Sequence, residues 1–363
     1  MFFYTLRFIY GDVNYHYMKT CIFCGNKPNK KTKEHVIPRW LIAITGDPKR
    51  ITLLGKSKES LRKYPWQNFT FPACDDCNSE FANLESLAKV AVVKILKKEN
   101  INSEQINTLL DWLDKVRIGL WLGHLLLDNE KDFEPNFHIK QRLGVSDRMV
   151  SIHYADHKDL GIQYSCTEFP AFRFSPSCFV LFINNVAFFN FSMEFALSRR
   201  LGFPFPEKKL CVPNEKLIAI DNFKKGFERI MIPIVRTPTL KNSIRLYQSI
   251  LNPKIGFIPE KFQTKYYVDN TVNGKSLIYV ENDFTQEKGF IEDELIIGTP
   301  IEQKGPSLKN KITIQALEYQ ILCLDQLCPS FELLDKKERA LRNKIYRMHI
   351  KVNKTHINKL KKR

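Results

Sequence analysis

The chain has 363 residues, more than most single domains, so two packed units are the default expectation. Hydrophobic residues make up 44% of the chain and include 27 Phe, which is enough for a sizeable core without disulfide bonds. The formal net charge of +17 favours an acidic partner such as nucleic acid, although a Lys-rich composition alone produces a similar excess. Two close pairs among the nine cysteines favour thiolate metal ligands in a reducing cytoplasm over a secreted disulfide protein.

The N-terminal stretch does not have the pattern of a secretory signal. It lacks an early cationic region, and Gly11 and Asp12 interrupt its apolar residues. No segment of the chain has the apolar length of a membrane span, so we expect no membrane contact. Because the motifs begin at Thr20, we interpret Met18 as a candidate start and residues 1–17 as an upstream extension.

Two helices follow a Lys-rich loop at residues 46–64. Residues 78–99 place apolar side chains at three- and four-residue spacing, which is typical of a helix with one buried face. Residues 106–128 are apolar on nearly all sides, so this helix should be buried against something larger than a small N-terminal module. His124 lies within it, and we interpret it as a hydrogen-bonded core histidine.

Beyond residue 128 the pattern changes to strands. Five apolar runs predict strands, at residues 149–154, 178–192, 229–235, 276–280 and 293–299. The second run contains Asn184 and Asn185 between two apolar halves, which predicts a hairpin turn.

A helix predicted at residues 313–327 comes near the end of the chain, and a strongly basic segment follows it. The basic segment either contacts phosphates or forms a solvated helix face. Five cysteines outside the paired motifs are interpreted as buried core, namely Cys166, Cys178, Cys211, Cys323 and Cys328.

These elements predict an α+β protein. We place an N-terminal module at residues 19–100, a larger mixed α/β domain of unknown topology at residues 101–330, and a helical basic segment at residues 331–363.

Four cysteines form two C-x-x-C pairs, Cys21 with Cys24 and Cys74 with Cys77. This spacing lets two thiolates of one tight turn bind the same tetrahedral zinc, and Gly25 suits such a turn because glycine tolerates a positive φ. The pairs are separated by 49 residues, against roughly 15 to 20 in a compact four-cysteine module, so further structure must fold between them. A closed site of four sulfurs has no open coordination position, and we therefore expect its zinc to be structural.

Between the pairs lies the segment from Lys33 to Pro38, KEHVIP, and Asn78 follows the second pair directly. The order C-x-x-C, E-H-x-x-P, N, C-x-x-C-N resembles the zinc-knuckle-bearing subgroup of the HNH (ββα-metal) endonuclease family. The resemblance is confined to residues 21–78, and its third letter is Asn rather than His. It implies a ββα-metal finger, in which two strands bring His35 and Asn68 together and a helix follows the second knuckle.

The resemblance also implies roles for the polar residues. His35 would be the general base, Glu34 and Asn78 would be ligands of a catalytic Mg²⁺ or Mn²⁺, and Asn68 would orient the loop that carries His35. A neutral imidazole takes a proton from water near neutral pH, and hard oxygen ligands suit these ions. Because adjacent side chains of a regular strand point to opposite faces, we expect an irregular backbone at Glu34 and His35. Glu85 is either an additional ligand of this ion or a solvated carboxylate on the helix.

The motifs predict a metal-dependent endonuclease that hydrolyses phosphodiester bonds. Duplex DNA is the substrate that the family favours, and a restriction or phage-defence effector is the wider role. The larger domain would recognise the substrate, a partner or a regulatory ligand, and a homodimer would allow both strands to be cut. The alternatives are a non-catalytic zinc-finger protein that binds nucleic acid and an RNA-cleaving toxin.

Overall fold

The structure is a computed structural model. It describes the backbone of residues 2–4, 20–28, 30–46, 51–54, 62–65, 68–127, 135, 137–213, 218–220, 222–251, 258 and 260–362. The side chains of residues 2–4, 51–54, 62–64, 127 and 218 are not described. The interpretation of Met18 as a start lies outside the described residues.

The elements confirm a mixed α+β protein. The strands are β1 (Phe2–Tyr4), β2 (Lys31–His35), β3 (Ile51–Leu54), β4 (Arg62–Pro65), β5 (Thr70–Cys74), β6 (Ile101–Asn102), β7 (Asp147–Tyr154), β8 (Ile162–Ser165), β9 (Cys178–Ile183), β10 (Val186–Met193), β11 (Phe205–Pro206), β12 (Lys209–Cys211), β13 (Ile218–Ile220), β14 (Phe223–Lys224), β15 (Ile244–Gln248), β16 (Thr271–Val272), β17 (Lys275–Ser276), β18 (Tyr279–Asn282), β19 (Glu287–Phe290) and β20 (Glu294–Leu295). The helices are α1 (Arg39–Ile44), α2 (Asp75–Leu96), α3 (Ser103–Leu127), α4 (Ile139–Arg142), α5 (Pro170–Phe174), α6 (Lys265–Asp269), α7 (Gly305–Leu322) and α8 (Lys336–Lys361). A 3₁₀ turn spans Glu260–Phe262, and a π-helical turn, Cys323–Leu327, extends α7.

A seven-stranded antiparallel sheet forms the centre of the protein, in the order β19-β18-β15-β7-β10-β9-β8. Every residue of β7 and β10 is buried, because helices cover both faces of the sheet. Val150 and Phe188 belong to the apolar cluster that contains the buried residues of α2 and α3. Met149 and Phe189 alternate with them and belong to a second cluster with α7 and α8. The side chains therefore follow the two-residue period of a strand, and three layers result.

The N-terminal module is built on a hairpin and a helix. β2 pairs antiparallel with β5, with Lys31 opposite Cys74 and His35 opposite Thr70, and α2 begins directly after β5. α3 packs closely on this hairpin, because a Cβ on Gly123 would lie only 2.9 Å from Cζ of Phe71. The apolar cluster of the module continues across residue 100 into the central sheet.

Most predicted elements are confirmed. The two N-terminal helices begin three residues earlier than predicted, and the last predicted helix begins at Gly305. The turn of the β9–β10 hairpin lies at Asn184, where φ is 52°. The basic C-terminal segment is the helix α8. The predicted loop at residues 46–64 contains the paired strands β3 and β4.

The strand predicted at residues 229–235 is wrong, because that segment forms bends without a partner strand. Pro233 explains the error, since proline has no N–H to donate to a β-ladder. The run at residues 293–299 forms only the two-residue strand β20. In the part of the chain that the structure describes, no helix combines the length and the apolar character needed to cross a bilayer.

Candidate active site and metal centre

Four cysteine thiols converge where the hairpin meets α2. The sulfurs of Cys21, Cys24, Cys74 and Cys77 all lie within 4.8 Å of one another. A tetrahedral zinc with Zn–S bonds of about 2.3 Å requires sulfur–sulfur edges of about 3.8 Å, and the sulfurs of Cys24 and Cys74 are 3.8 Å apart. All nine cysteines of the chain are free of disulfides. The predicted cluster is confirmed, and it can hold a metal ion such as zinc.

The local backbone explains how the first pair forms its turn. Gly25 has a φ of 81° and its N–H donates to the carbonyl of Cys21 at 2.8 Å, which closes the knuckle. A Cβ at Gly25 would lie 2.6 Å from Nδ1 of His138, so a larger residue does not fit. The turn is fastened to the hairpin by Ile22, whose N–H donates to the carbonyl of Pro72 at 2.9 Å. The glycine predicted for this turn is thus required by both its φ and its neighbour.

The electrostatics of the thiols also suit a cation. Burial and the neighbouring cysteines raise the pKa of Cys74 to about 12. Burial alone would raise the pKa of Cys21 as well, but hydrogen bonds from backbone N–H groups, that of Cys74 above all, lower it below its ordinary value. Each thiolate makes the ionisation of its neighbouring thiols less favourable. Four thiolates at neutral pH therefore require a bound cation.

His35 lies at the opposite end of the hairpin from the cysteines, as the last residue of β2. The irregular backbone expected at Glu34 and His35 is not found, since both residues keep the antiparallel register. Regular pairing therefore turns the two side chains to opposite faces, with Glu34 buried and His35 half-buried. After His35, Val36 and Ile37 are buried and Pro38 precedes α1, so the H-x-x-P spacing fixes where the next helix begins.

Arg39 gives His35 a positively charged neighbour. Nε of Arg39, in the first turn of α1, donates to Nε2 of His35 at 3.4 Å, and both side chains lie at the surface. A guanidinium beside a candidate base is suited to a phosphate oxygen, which it can bind with two parallel N–H groups. Arg39 was not predicted from the sequence, and the available signal is its place directly after the H-x-x-P motif, in the first turn of α1.

Glu34 points inward, where it shares a lysine with Glu85. Nζ of Lys115, on α3, donates to Oε1 of both carboxylates. The side chain of Lys115 is 1% exposed, against 8% for Glu34 and 18% for Glu85. Burial would lower the pKa of Lys115, but the two carboxylates outweigh it and raise that pKa, so the lysine is charged. Burial raises the pKa of Glu34, and Lys115 opposes the shift.

This triad bears on the predicted catalytic ion. Glu34 and Glu85 are brought together as predicted, but an ammonium group lies between them, so in this arrangement they do not fit a divalent ion. Among the described residues, the four cysteines are the one group of three or more Cys, His, Asp or Glu side chains close enough to hold a metal. Lys115 was not predicted from the sequence. The available signal for its role is that it is the one lysine in the largely apolar helix α3.

The two candidate asparagines lie at different places in the module. Asn78 is half-buried in the first turn of α2, directly after Cys77. Asn68 is exposed two residues before Thr70, the partner of His35 in the hairpin, so it lies at the same end of the hairpin as His35. The structure therefore places Asn68 at the end of the hairpin that carries His35, but it places Asn78 at the cysteine end and does not bring it to His35 as predicted.

Two histidines outside the module lie in the core. His124 is buried, and its Nε2 lies 3.1 Å from the hydroxyl of Thr167, as predicted for a core histidine. His153 is buried within β7 beside Ser151. Cys166, Cys178, Cys211 and Cys323 are buried and Cys328 is half-buried, which agrees with their prediction as core residues. Comparisons of the chain with models of protein families, with functionally characterised proteins and with solved structures found no match.

Proposed function

We propose that the N-terminal module hydrolyses phosphodiester bonds of nucleic acid as an endonuclease of the HNH type, with duplex DNA as its substrate. The observation that carries the proposal is the arrangement of the β2–β5 hairpin and α2 around the cysteine cluster. The four-cysteine cluster connects the turn before β2 to the start of α2, and the paired strands hold His35 beside Arg39 at the other end. This order of two strands, a helix and a cysteine cluster agrees with the motif on which the resemblance rests.

His35 is the proposed general base. In this arrangement the Arg39 N–H occupies the lone pair of Nε2. His35 would take a proton from the attacking water after Arg39 turns from the imidazole to the phosphate. Arg39 would hold a phosphate oxygen and offset the charge that develops on it. Asn68, at the same end of the hairpin, would orient this edge of the site.

The residues predicted to hold the divalent ion do not form a site for it in this structure. When bound, Mg²⁺ or Mn²⁺ would supply further positive charge at the scissile phosphate. Asn78 has a side-chain oxygen suited to such an ion but lies at the cysteine end of the hairpin, away from His35, and Glu34 and Glu85 are held by Lys115. We therefore assign no step of the reaction to these two carboxylates.

Cleavage of plasmid DNA and of single-stranded RNA tests the proposal. Wild type and His35→Ala are first checked for equal zinc content and folding, and are then compared with Mg²⁺, with Mn²⁺ and with a chelator. Loss of the base should slow DNA cleavage by roughly 10²- to 10⁴-fold. His157→Ala, which removes a half-buried histidine outside the module, is the matched control and should cut like wild type.

A second candidate function is supported by the Lys115 triad. If Lys115 permanently neutralises Glu34 and Glu85, the module is a zinc-stabilised unit that binds nucleic acid without cutting it. Folded, zinc-loaded protein that binds duplex DNA but leaves it intact under every metal condition would favour this function. Cleavage that is equal in wild type and His35→Ala would contradict His35 as the base, and preferential RNA cleavage would replace DNA as the substrate.

A further inference from the structure

A cavity of about 370 Å³ lies beside the loop that follows β10. Three arginines and three aromatic rings belong to its wall, together with Lys209, Glu207, Gln326 and aliphatic side chains. The arginines are Arg199, Arg200 and Arg236, and the rings are Phe191, Phe195 and Phe205. No residue of β2, β5 or α2 lines it, so the cavity is separate from the proposed nuclease site.

The three guanidinium groups lack carboxylate partners among the described residues. Glu207, the acidic residue in the lining, pairs instead with Lys224 at 2.9 Å. Lys209 also lines the cavity, but its ammonium donates to the carbonyl of Leu327 at 2.6 Å and is engaged there. Arg199 and Arg236 are exposed and Arg200 is half-buried, so solvent screens their mutual repulsion, but their N–H donors remain open to an anion in the cavity.

The turn that carries Arg199 and Arg200 is held in place by a buried carboxylate. Asp147, which is 0% exposed, accepts hydrogen bonds from the N–H groups of Leu197, Ser198 and Ile250 at 2.7 to 2.8 Å and from the hydroxyls of Ser198 and Ser249 at 2.9 and 3.1 Å. Five donors on one carboxylate fix the backbone on which the two arginines stand.

A backbone hydrogen bond and ring stacking hold other parts of the cavity wall in place. The N–H of Met231 donates to the carbonyl of Arg200 at 2.8 Å, which joins the loop of Arg236 to that of Arg200. The guanidinium of Arg199 lies over the rings of Phe205 and Phe227, with its carbon 5.3 and 5.6 Å from their centroids. This stacking orients the Arg199 donors without neutralising its charge. The guanidinium of Arg199 and the backbone of Arg200 are thus held before any ligand arrives, which reduces the entropic cost of binding.

We propose that this cavity binds a nucleotide. Guanidinium groups match the geometry of phosphate oxygens, and aromatic rings offer a stacking surface to a planar base. The volume falls in the range of roughly 300 to 1,000 Å³ that is typical of small-molecule sites. The phosphates would bind Arg199, Arg200 and Arg236, and the base would lie against Phe195, because Phe205 already stacks with Arg199 and Phe227. A nucleotide in solution is the proposed source of this chemistry, and the terminal nucleotide of a nucleic-acid strand is the source that the experiment must exclude.

Direct binding to the full-length protein tests the assignment, independently of any nuclease activity. Calorimetry without added divalent ions would use ATP and GTP as probes, with adenosine, pyrophosphate and a 5′-phosphorylated oligodeoxynucleotide for comparison. We expect ATP or GTP to bind at least tenfold more tightly than adenosine or pyrophosphate, because each comparison compound lacks one half of the recognised chemistry. Removing one charge-assisted contact in Arg200→Ala or Arg236→Ala should weaken nucleotide binding by roughly tenfold or more.

Arg229→Ala is the matched control, because Arg229 is an exposed arginine on the loop of Arg236 and does not line the cavity. It should bind the nucleotide like wild type, and all variants should unfold at the same temperature as wild type without ligand. The assignment is overturned if neither nucleotide binds at millimolar concentration or if Arg200→Ala and Arg236→Ala bind like Arg229→Ala. Tight binding of the oligodeoxynucleotide without binding of ATP or GTP would also overturn it, in favour of a strand end.

Discussion

Replacing Lys115 by Met removes the ammonium that Glu34 and Glu85 share and retains most of the aliphatic volume. Breaking a buried ion pair by removing one partner costs about 3–5 kcal/mol, because the remaining charge is left without compensation. Lys115 and Glu34 are both buried, so they meet this condition, whereas Glu85 is partly open to solvent. We expect Lys115→Met to reduce the free energy of unfolding at pH 7 by about 3–5 kcal/mol.

The loss should depend on pH. Without Lys115, the pKa of Glu34 rises further above its value in the unfolded chain. A carboxyl whose pKa is raised in the folded state binds its proton more tightly there than in the unfolded chain. The free energy of unfolding therefore falls as the pH rises from the unfolded-state pKa to the folded-state pKa. The penalty of Lys115→Met should therefore be larger at pH 8 than at pH 5. Adding Glu34→Gln to Lys115→Met removes the buried charge and should recover most of the loss.

Urea-induced unfolding followed by tryptophan fluorescence measures these differences. Trp112 lies in α3 one helical turn before Lys115, and its ring centroid is 5.5 Å from that of Trp40, so the signal reports on the same region. Lys140→Met is the matched control, because its pair with Glu80 is exposed and should contribute little. A loss below about 1 kcal/mol, the size of a surface pair, or a loss that Glu34→Gln fails to relieve would refute the triad as a buried charge pair.

The same variant tests whether the two carboxylates can become metal ligands. With Lys115 removed, Glu34 and Glu85 form a buried acidic pair, which a divalent ion would stabilise by binding to the folded state. Mn²⁺ should then raise the unfolding temperature of Lys115→Met and leave the double variant with Glu34→Gln unchanged. Equal effects of Mn²⁺ on both would show that the ion binds elsewhere.

Three further outcomes follow from the structure. Burial lowers the pKa of both His124 and His153 to about 3, so the folded protein resists their protonation while the unfolded chain accepts it. Each should reduce the free energy of unfolding by about 2 kcal/mol between pH 7 and pH 5, as measured by denaturant unfolding, with stability falling as the pH falls. The purified protein should contain one zinc per chain by atomic absorption, and Cys77→Ser should lose it together with the stability of the hairpin. On α8, Lys351→Gln with Lys354→Gln should weaken duplex DNA binding and lower its salt dependence by about one unit per lost phosphate contact.

Controls make these three outcomes decisive. His153→Gln should reduce the pH dependence, and an unchanged dependence would contradict His153 as a source. Cys328→Ser, in a half-buried cysteine outside the cluster, should retain zinc, and loss of zinc there would argue against a specific site. Lys309→Gln replaces an exposed lysine on α7 and should leave DNA binding unchanged. If it weakens binding as much as the α8 variant, the attraction comes from the net charge of the whole chain.

Local features of the chain could be predicted from sequence because their causes lie within a few residues. The C-x-x-C spacing, Gly25 after Cys24, and the apolar period of α2 and α3 each act over one turn or one helix. The cysteine cluster itself was predicted across 49 residues because two identical spacings ask for one metal. The strand predicted around Pro233 is wrong because the apolar composition of this segment does not replace the N–H that Pro233 lacks for a β-ladder.

The parts that sequence did not predict depend on contacts between distant residues. Lys115 meets Glu34 across 81 positions, and no local pattern announces which carboxylate a buried lysine will find. The order of the strands in the central sheet also depends on distant residues, because β7 pairs with β10 and β15, which both lie far along the chain from it. The irregular backbone predicted at Glu34 and His35 is wrong because the two side chains do not serve one site. Glu34 binds Lys115 in the interior while His35 faces the surface, and a regular strand allows this.

α3 carries charged residues that serve both parts of the protein. Lys115 reaches Glu34 in the hairpin, while Arg117 donates to Asn190 on β10 and Asp111 accepts from Arg148 on β7. Lys115 lies between Asp111 and Arg117 along the helix. A residue inserted between Asp111 and Arg117 would rotate one of these two by about 100° relative to the other and would move Lys115 out of register with one of them. The middle of α3 therefore fixes how the hairpin is oriented relative to the central sheet, so its length should tolerate less change than the lengths of the loops around it.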